Sequence, residues 1–273
     1  MIYPRLSVAI KTYISEILPT KSYDYRNGQR SQLKYWEAEL GEYRLNQITP
    51  EIIKLPTERG PATCNRYLSA LSCIFIHYYD GINPTSRVKR LKEPRNRVRF
   101  LSDSERVRLL EACKKSKSKL LYPVVVLALS SGLRRGELLK LTWDRIDLDR
   151  GLIYLIDTKN GDRRMVPIGG HALELISQLP KTCKYVFPTP FGSYYQDMNY
   201  YWYPALKEAG ISNFRFHDLR HSCASLLSMQ GVPLHTIAEI LGHRDIRVTL
   251  KYAHLSVDHL RGVLGNLNDM MFP

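Results

Sequence analysis

The chain has 273 residues, 44% of them hydrophobic and 24% charged, and its 40 Lys and Arg outnumber 26 Asp and Glu to leave a formal net charge of +14 at pH 7. This composition suits a folded protein large enough for one or two cores. It excludes a disordered chain, a collagen-like repeat and a disulfide-stapled miniprotein. The charge excess points to a polyanionic partner, nucleic acid ahead of an anionic membrane. Five cysteines (Cys64, Cys73, Cys113, Cys183, Cys223) are scattered without a C-x-x-C pair, as expected of reduced thiols in a cytoplasmic protein. The most apolar run, Leu120 to Leu129, is about half the length of a membrane span and contains Pro123. The N-terminus lacks signal-peptide architecture.

Residues 1–82 read as a helical module. Apolar positions recur at helical spacing in Leu33, Trp36 and Leu40, and again in Tyr67, Leu68, Leu71, Ile74 and Phe75. Thr49-Pro50-Glu51 has the form of a helix start, and a long helix is expected over 62–79, stopped by Gly81-Ile82-Asn83-Pro84. Residues 83–100 read as a basic linker. Arg87, Lys89, Arg90, Lys92, Arg95, Arg97 and Arg99 stand there against a single acid, Glu93. Such a run is either a solvated tether or a set of phosphate contacts.

A second domain is expected over 101–273. Ser102-Asp103-Ser104-Glu105 has capping-box spacing. A helix covers the apolar run near 120–130, Gly132 interrupts it, and helical spacing resumes from Arg134. The period then changes to that of two short strands, 152–156 and 164–168, around the hairpin signal Asn160-Gly161. The remainder reads as helices with turns near Pro188–Pro190, Gly210 and Gly231. The fold class is therefore mainly α with a small antiparallel β-element, in two domains.

The chain has no Walker loop, no G-x-G-x-x-G and no G-x-S-x-G. His217 and His221 have the i, i+4 spacing of a zinc pair. Arg220 shares their face, however, and a guanidinium there repels a dication and attracts an anion. The two histidines otherwise cap or pack a helix. As a phosphate site, Arg220 supplies a planar fork and His217 a donor or proton carrier. Arg134 follows Ser131-Gly132-Leu133 at a helix start, where free N–H groups favour anions. Lys159 precedes a hairpin tip that can deliver an ammonium into a cleft. Tyr252 is an oxygen nucleophile, one tyrosine among 18. Singly, each of these residues is equally at home on a surface or in a core.

Jointly, Arg134, Lys159, H-x-x-R (His217, Arg220), L-G-H (His243) and Y-x-H (Tyr252) resemble the tyrosine recombinase family of phage-integrase type. SGLRRGELLKLTWDRID (131–147) is similar to its first arginine box and TKNGDRRMVPI (158–168) to its lysine hairpin. HDLRHSCASLLSMQGVPLHTIAEILGHRDIRVTLKYAHL (217–255) is similar to its second box. The resemblance implies a two-domain C-shaped clamp, with a helical core-binding domain ahead of the catalytic domain. It implies that Tyr252 attacks a scissile phosphate to leave a 3′-phosphotyrosyl bond, with Arg134 and Arg220 clamping the non-bridging oxygens and Lys159 as general acid. His217 moves the tyrosine proton or bonds the phosphate, and His243 bonds a phosphate oxygen.

No metal and no cofactor is implied. The implied partners are double-stranded DNA with core-type sites, a homotetramer in the synapse from free monomers, and accessory DNA-bending or directionality proteins. The implied role is integration and excision of a prophage or genomic island. The segment after Tyr252 would dock on a neighbour through Val257, Leu260, Val263 and Leu264, or pack in cis. Few residues precede the first helical pattern, which leaves no room for an arm-binding domain in this sequence. Rival readings are a Xer-like resolvase, a type IB topoisomerase-like enzyme, and a non-catalytic helix-turn-helix protein built on Leu234–His243 and Val248-Thr249-Leu250.

Overall fold

The computed structural model describes residues 2–94, 98–156 and 163–272. The chain divides into two compact units, Met1–Asn96 and Arg97–Pro273.

In the first unit, helices α1 (Leu6–Glu16), α2 (Tyr23–Leu40) and α3 (Pro61–Tyr78) close on one core. Leu33, Trp36, Leu71 and Ile74 are completely buried there, as their helical spacing requires. The Trp36 indole N–H donates to the Tyr67 carbonyl at 2.7 Å, so its one polar atom is satisfied inside the core. Pro61 opens α3 at a position that needs no N–H. The Thr49-Pro50-Glu51 start yields only a single 3₁₀ turn, Pro50–Ile52, because Pro56 follows too closely for a helix to propagate.

The first part of the basic run belongs to this unit. Asn65, 5% exposed, pairs its amide with both backbone groups of Leu91 at 2.9 Å and with the Glu93 carboxylate at 2.8 Å. Arg90 donates to the Asn65 carbonyl and the Ser69 hydroxyl. Residues 90–93 are thus pinned to α3 by a buried amide that is fully engaged.

In the second unit, α4 (Asp103–Lys114) starts on the expected capping box. The Ser102 hydroxyl accepts from the Glu105 N–H at 3.2 Å and the Glu105 carboxylate accepts from the Ser102 N–H at 3.0 Å. The apolar run forms α5 (Leu121–Ser131), buried on most of its surface. Gly132 ends it in the left-handed conformation, φ 61°; a Cβ there would lie 2.6 Å from a Leu241 methyl. Then come α6 (Arg135–Leu139) and an antiparallel sheet in the order β1 (Ile146–Asp147), β2 (Leu152–Ile156), β3 (Arg163–Pro167). Ile153 pairs with Val166, and both face the core. The two-residue β1 carries no periodicity, so the sequence did not reveal it.

Helices α7 (Gly170–Ser177), α8 (Asn199–Glu208), α9 (Asp218–Met229) and α10 (Leu234–Leu241) follow. Beyond Gly242, residues Ile246–Val248 and Leu250–Ser256 are 3₁₀ turns, and α11 (Val257–Met271) comes last. The second α-helix of a helix-turn-helix is therefore missing where 248–250 would place it. α9 packs on α5 and carries Ser222, whose hydroxyl accepts from the Leu101 N–H at 3.0 Å. Among the described helices none is long and apolar enough to cross a membrane.

Candidate active site

Arg220 sits on the first turn of α9 and is 4% exposed. Its guanidinium donates to the Gly132 carbonyl at 2.7 Å and the Leu241 carbonyl at 2.6 Å. These carbonyls end α5 and α10, both capped by a left-handed glycine. A buried cation is thus held by the negative ends of two helices. Burial first, then Arg134, pushes the Arg220 pKa down to about 10, so an incoming anion meets an undercompensated charge.

Arg134 stands at the N-cap of α6. It donates to Glu137 at 2.8 Å and to the Gly242 carbonyl at 2.9 Å. Glu137 also accepts from Arg164 of β3 at 2.8 Å. Burial raises the Glu137 carboxyl, but the Arg134 backbone N–H and Arg164 outweigh it, and its pKa ends below the ordinary value. The Arg164 side chain lies against Gly242, where a Cβ would come within 2.7 Å of its guanidinium carbon. One carboxylate therefore joins the first arginine box, the β-hairpin and the turn before His243.

Tyr252 lies in the 3₁₀ segment and is 1% exposed, packed with Ala224, Ile237 and Leu241. Its hydroxyl meets Nδ1 of His221 at 2.5 Å. Burial holds the Tyr252 pKa well above the usual phenol value. The His217 and His221 rings are edge to face, 5.1 Å between centroids. His243 Nδ1 is bonded to the buried Thr249 hydroxyl at 2.8 Å. Lys251 places its ammonium over the Tyr252 ring, 5.1 Å from the centroid. Burial, then Lys251, takes His221 down to about 3; burial, then Arg220, takes His243 to about 4. His217 is lowered by burial, Arg220 and Lys251. All three histidines are therefore neutral at pH 7.

The structure thus brings together Arg134, His217, Arg220, His243 and Tyr252. Lys159, Arg95 and Arg97 lie outside the described residues. Of the other basic-run residues, Arg87, Lys89, Arg90 and Lys92 are exposed, Arg90 with the hydrogen bonds to α3 noted above. Arg99 is half-buried and ion-paired with Glu105 above the Phe214 ring. Its charge is already neutralised, which weakens its case as a phosphate contact. Glu137, Arg164, His221 and Lys251 escaped the sequence reading as site residues. Only His221 left a trace, as the i+4 partner of His217.

The histidines make a pH prediction. An unfolded histidine titrates near 6.5, and the folded values lie below that. Their penalty is absent above about pH 6.5 and grows as pH falls toward the folded values, at up to about 1.4 kcal/mol per pH unit for each. Glu105, lowered to about 2 chiefly by Arg99, is ionised in both states down to pH 5 and adds nothing in that window. Urea unfolding is expected to show lower stability at pH 5 than at pH 7.5, and His221→Gln should remove about a third to a half of the difference, since His243 contributes about as much and His217 adds to both. A flat profile would contradict the buried neutral imidazoles.

The second unit gathers two arginines, three histidines and a tyrosine hydroxyl in a mainly helical fold with a small antiparallel sheet. Solved structures share the fold. The catalytic domain of bacteriophage HP1 integrase is 29% identical, with a TM-score of 0.51 over 62% of this chain and 95% of that one. A lambda integrase tetramer bound to a Holliday junction is 19% identical, with a TM-score of 0.72 over 89% and 78%. In sequence, the integrase of Salmonella phage P22 is 35% identical over 268 residues, 90% of this chain and 68% of that protein. The Phage integrase family profile matches residues 99–259. The chain belongs to the phage integrase family of tyrosine recombinases, whose members are DNA breaking-rejoining enzymes.

Proposed function

We propose that the chain is a site-specific recombinase that cuts and rejoins double-stranded DNA during integration and excision of a prophage or genomic island. The observation that carries this is the Tyr252 hydroxyl held on an imidazole beside the undercompensated Arg220. Tyr252 attacks the scissile phosphate in line, forming a 3′-phosphotyrosyl bond and releasing a 5′-hydroxyl. Arg220 and Arg134 stabilise the charge that develops on the non-bridging oxygens. His243, fixed through Nδ1 by Thr249, presents its Nε2 to the same phosphate, and His217 lines it. Lys159 protonates the leaving 5′-oxygen. The bond energy is kept in the phosphotyrosine, and a 5′-hydroxyl from a partner duplex reverses the step.

The exposed basic residues Arg87, Lys89 and Lys92 supply contacts to the DNA backbone. Four protomers form the synapse, in the manner of the lambda tetramer. The apolar side chains Val263, Leu264 and Leu267 of α11 are solvent-exposed and available to a neighbouring protomer. The protein acts in the cytoplasm on DNA, with accessory DNA-bending or directionality proteins.

The test uses nicked duplexes made from the two junctions of the element that carries the gene. After incubation and denaturation, wild-type protein is expected to carry covalently attached DNA, and Tyr252→Phe none. Absence of an adduct with wild type, on DNA it demonstrably binds, would overturn the reading.

A further inference from the structure

We propose that Thr249 is a positioning residue for the cleavage step: its hydroxyl donates to Nδ1 of His243, so the ring proton stands on Nε2 for a non-bridging phosphate oxygen to accept. This rests on the transesterase reading above. It adds which proton His243 offers and which residue fixes it. The contact is Thr249 Oγ1 to His243 Nδ1 at 2.8 Å.

The direction of that bond follows from burial. Thr249 is fully buried, and a hydroxyl has one proton to place. Among the described residues, the His243 nitrogen is the only hydrogen-bond partner of this hydroxyl. If Nδ1 were the donor, the Thr249 proton would be buried without an acceptor, which is the costly arrangement. If the hydroxyl donates, both atoms are satisfied. The imidazole is neutral at pH 7, because burial, then Arg220 and Arg134, lower its pKa to about 4. A neutral ring has a single N–H. With Nδ1 accepting, that N–H is on Nε2.

The main chain holds the same ring from its other end. Gly242 turns left-handed after α10, φ 64°, and the His243 N–H donates to the Ala238 carbonyl at 2.9 Å. Thr249 is itself held, its N–H donating to the Ile246 carbonyl at 2.7 Å. Its carbonyl accepts from the Tyr252 N–H at 3.0 Å. One residue therefore sets the proton of a phosphate donor through its side chain and the backbone of the nucleophile through its carbonyl. The cations acting on His243 are Arg220 of α9, Arg134 at the head of α6, Lys251 of the 3₁₀ segment and Arg164 of β3. They attract an anionic oxygen, and Nε2–H adds a fixed direction to that attraction.

Two measurements test this. The first needs no DNA. Long-range proton–nitrogen spectra of the full chain labelled with ¹⁵N-histidine, at pH 7, are expected to show the His243 proton on Nε2, with the signal assigned by its loss in His243→Gln. A proton on Nδ1 would overturn the proposal. Thr249→Val keeps the shape and loses the hydroxyl, so the two tautomers should mix detectably. A Thr249→Val spectrum like that of wild type would also overturn it.

The second is single-turnover cleavage of the nicked duplex by variants first shown to unfold cooperatively in urea. Thr249→Val is expected to be slowed by roughly tenfold, and Thr249→Ser, which restores the hydroxyl, should recover most of that loss. The discriminating substrate carries a methylphosphonate at the scissile position, as two separated diastereomers. Where the methyl group replaces the oxygen that faces His243, the ratio of wild type to Thr249→Val should fall to about one; for the other diastereomer it should stay near roughly tenfold. Equal slowing on both diastereomers is what a merely structural role gives, and it would overturn the proposal. Should Thr249→Val fail to fold, the wild-type spectrum still decides. Wild-type protein that forms no adduct on DNA it binds would instead overturn the transesterase reading, of which the spectrum is independent.

Discussion

Replacing Arg220 with alanine is expected to reduce single-turnover cleavage by at least about 10³-fold and to destabilise the second unit by about 2–4 kcal/mol, for two separate reasons. On the proposed mechanism cleavage fails because the guanidinium is the most deeply buried cation among the described residues, and developing charge is stabilised most strongly by a donor that needs no reorganisation. Stability falls because the same group satisfies the Gly132 and Leu241 carbonyls at 2.7 and 2.6 Å. An unpaired buried acceptor costs about 1–3 kcal/mol. Relief of repulsion with Arg134 works in the opposite direction, but one partly exposed neighbour offsets less than two lost charge-assisted bonds.

Arg220→Lys separates the effects. An ammonium keeps the charge but cannot span two carbonyls in a planar fork, so cleavage is expected to stay down by about 10²-fold with roughly half of the stability loss. Urea unfolding and cleavage measured on the same preparations check this. Arg220→Lys within threefold of wild type in cleavage would show that the fork is dispensable.

The sequence located elements better than it located contacts. The Ser102 capping box, the α3 and α5 helices and the paired strands of β2 and β3 were legible because caps, 3.6-residue spacing and hairpin turns are local signals. The ordered motifs from Arg134 to Tyr252 were legible only as a resemblance. What they join was not. Arg220 is 88 positions from the Gly132 carbonyl it holds, and His221 is 31 from Tyr252. No periodicity encodes such pairs, because they arise when α5, α9 and α10 converge. The 3₁₀ form of Leu250–Ser256 was equally hidden, since its apolar spacing over one turn fits an α-helix as well. Arg99 shows the same limit. In the sequence it is one more basic residue of a run, whereas in space Glu105 already neutralises it.

Glu137 divides its two oxygens between the Arg134 and Arg164 side chains. Its side chain is 24% exposed and that of Arg164 20%, so removing the carboxylate strands a largely buried cation. Glu137→Ala is expected to destabilise the second unit by about 2–4 kcal/mol, somewhat less than for a fully buried pair because Arg134 is partly in water. Cleavage is expected to fall by roughly 10–100-fold, because Arg134 then keeps only its bond to the Gly242 carbonyl and loses its aim. The double variant Glu137→Leu with Arg164→Met replaces the ion pair by apolar groups of similar volume, and it should recover most of the stability. It should recover none of the activity, since Arg134 still lacks its carboxylate. Urea unfolding and single-turnover cleavage of the three proteins decide this. If the double variant regains activity together with stability, Glu137 acts only by holding the fold. If stability returns alone, the carboxylate aims the arginine, and β3 is tied through Arg164 to the same group.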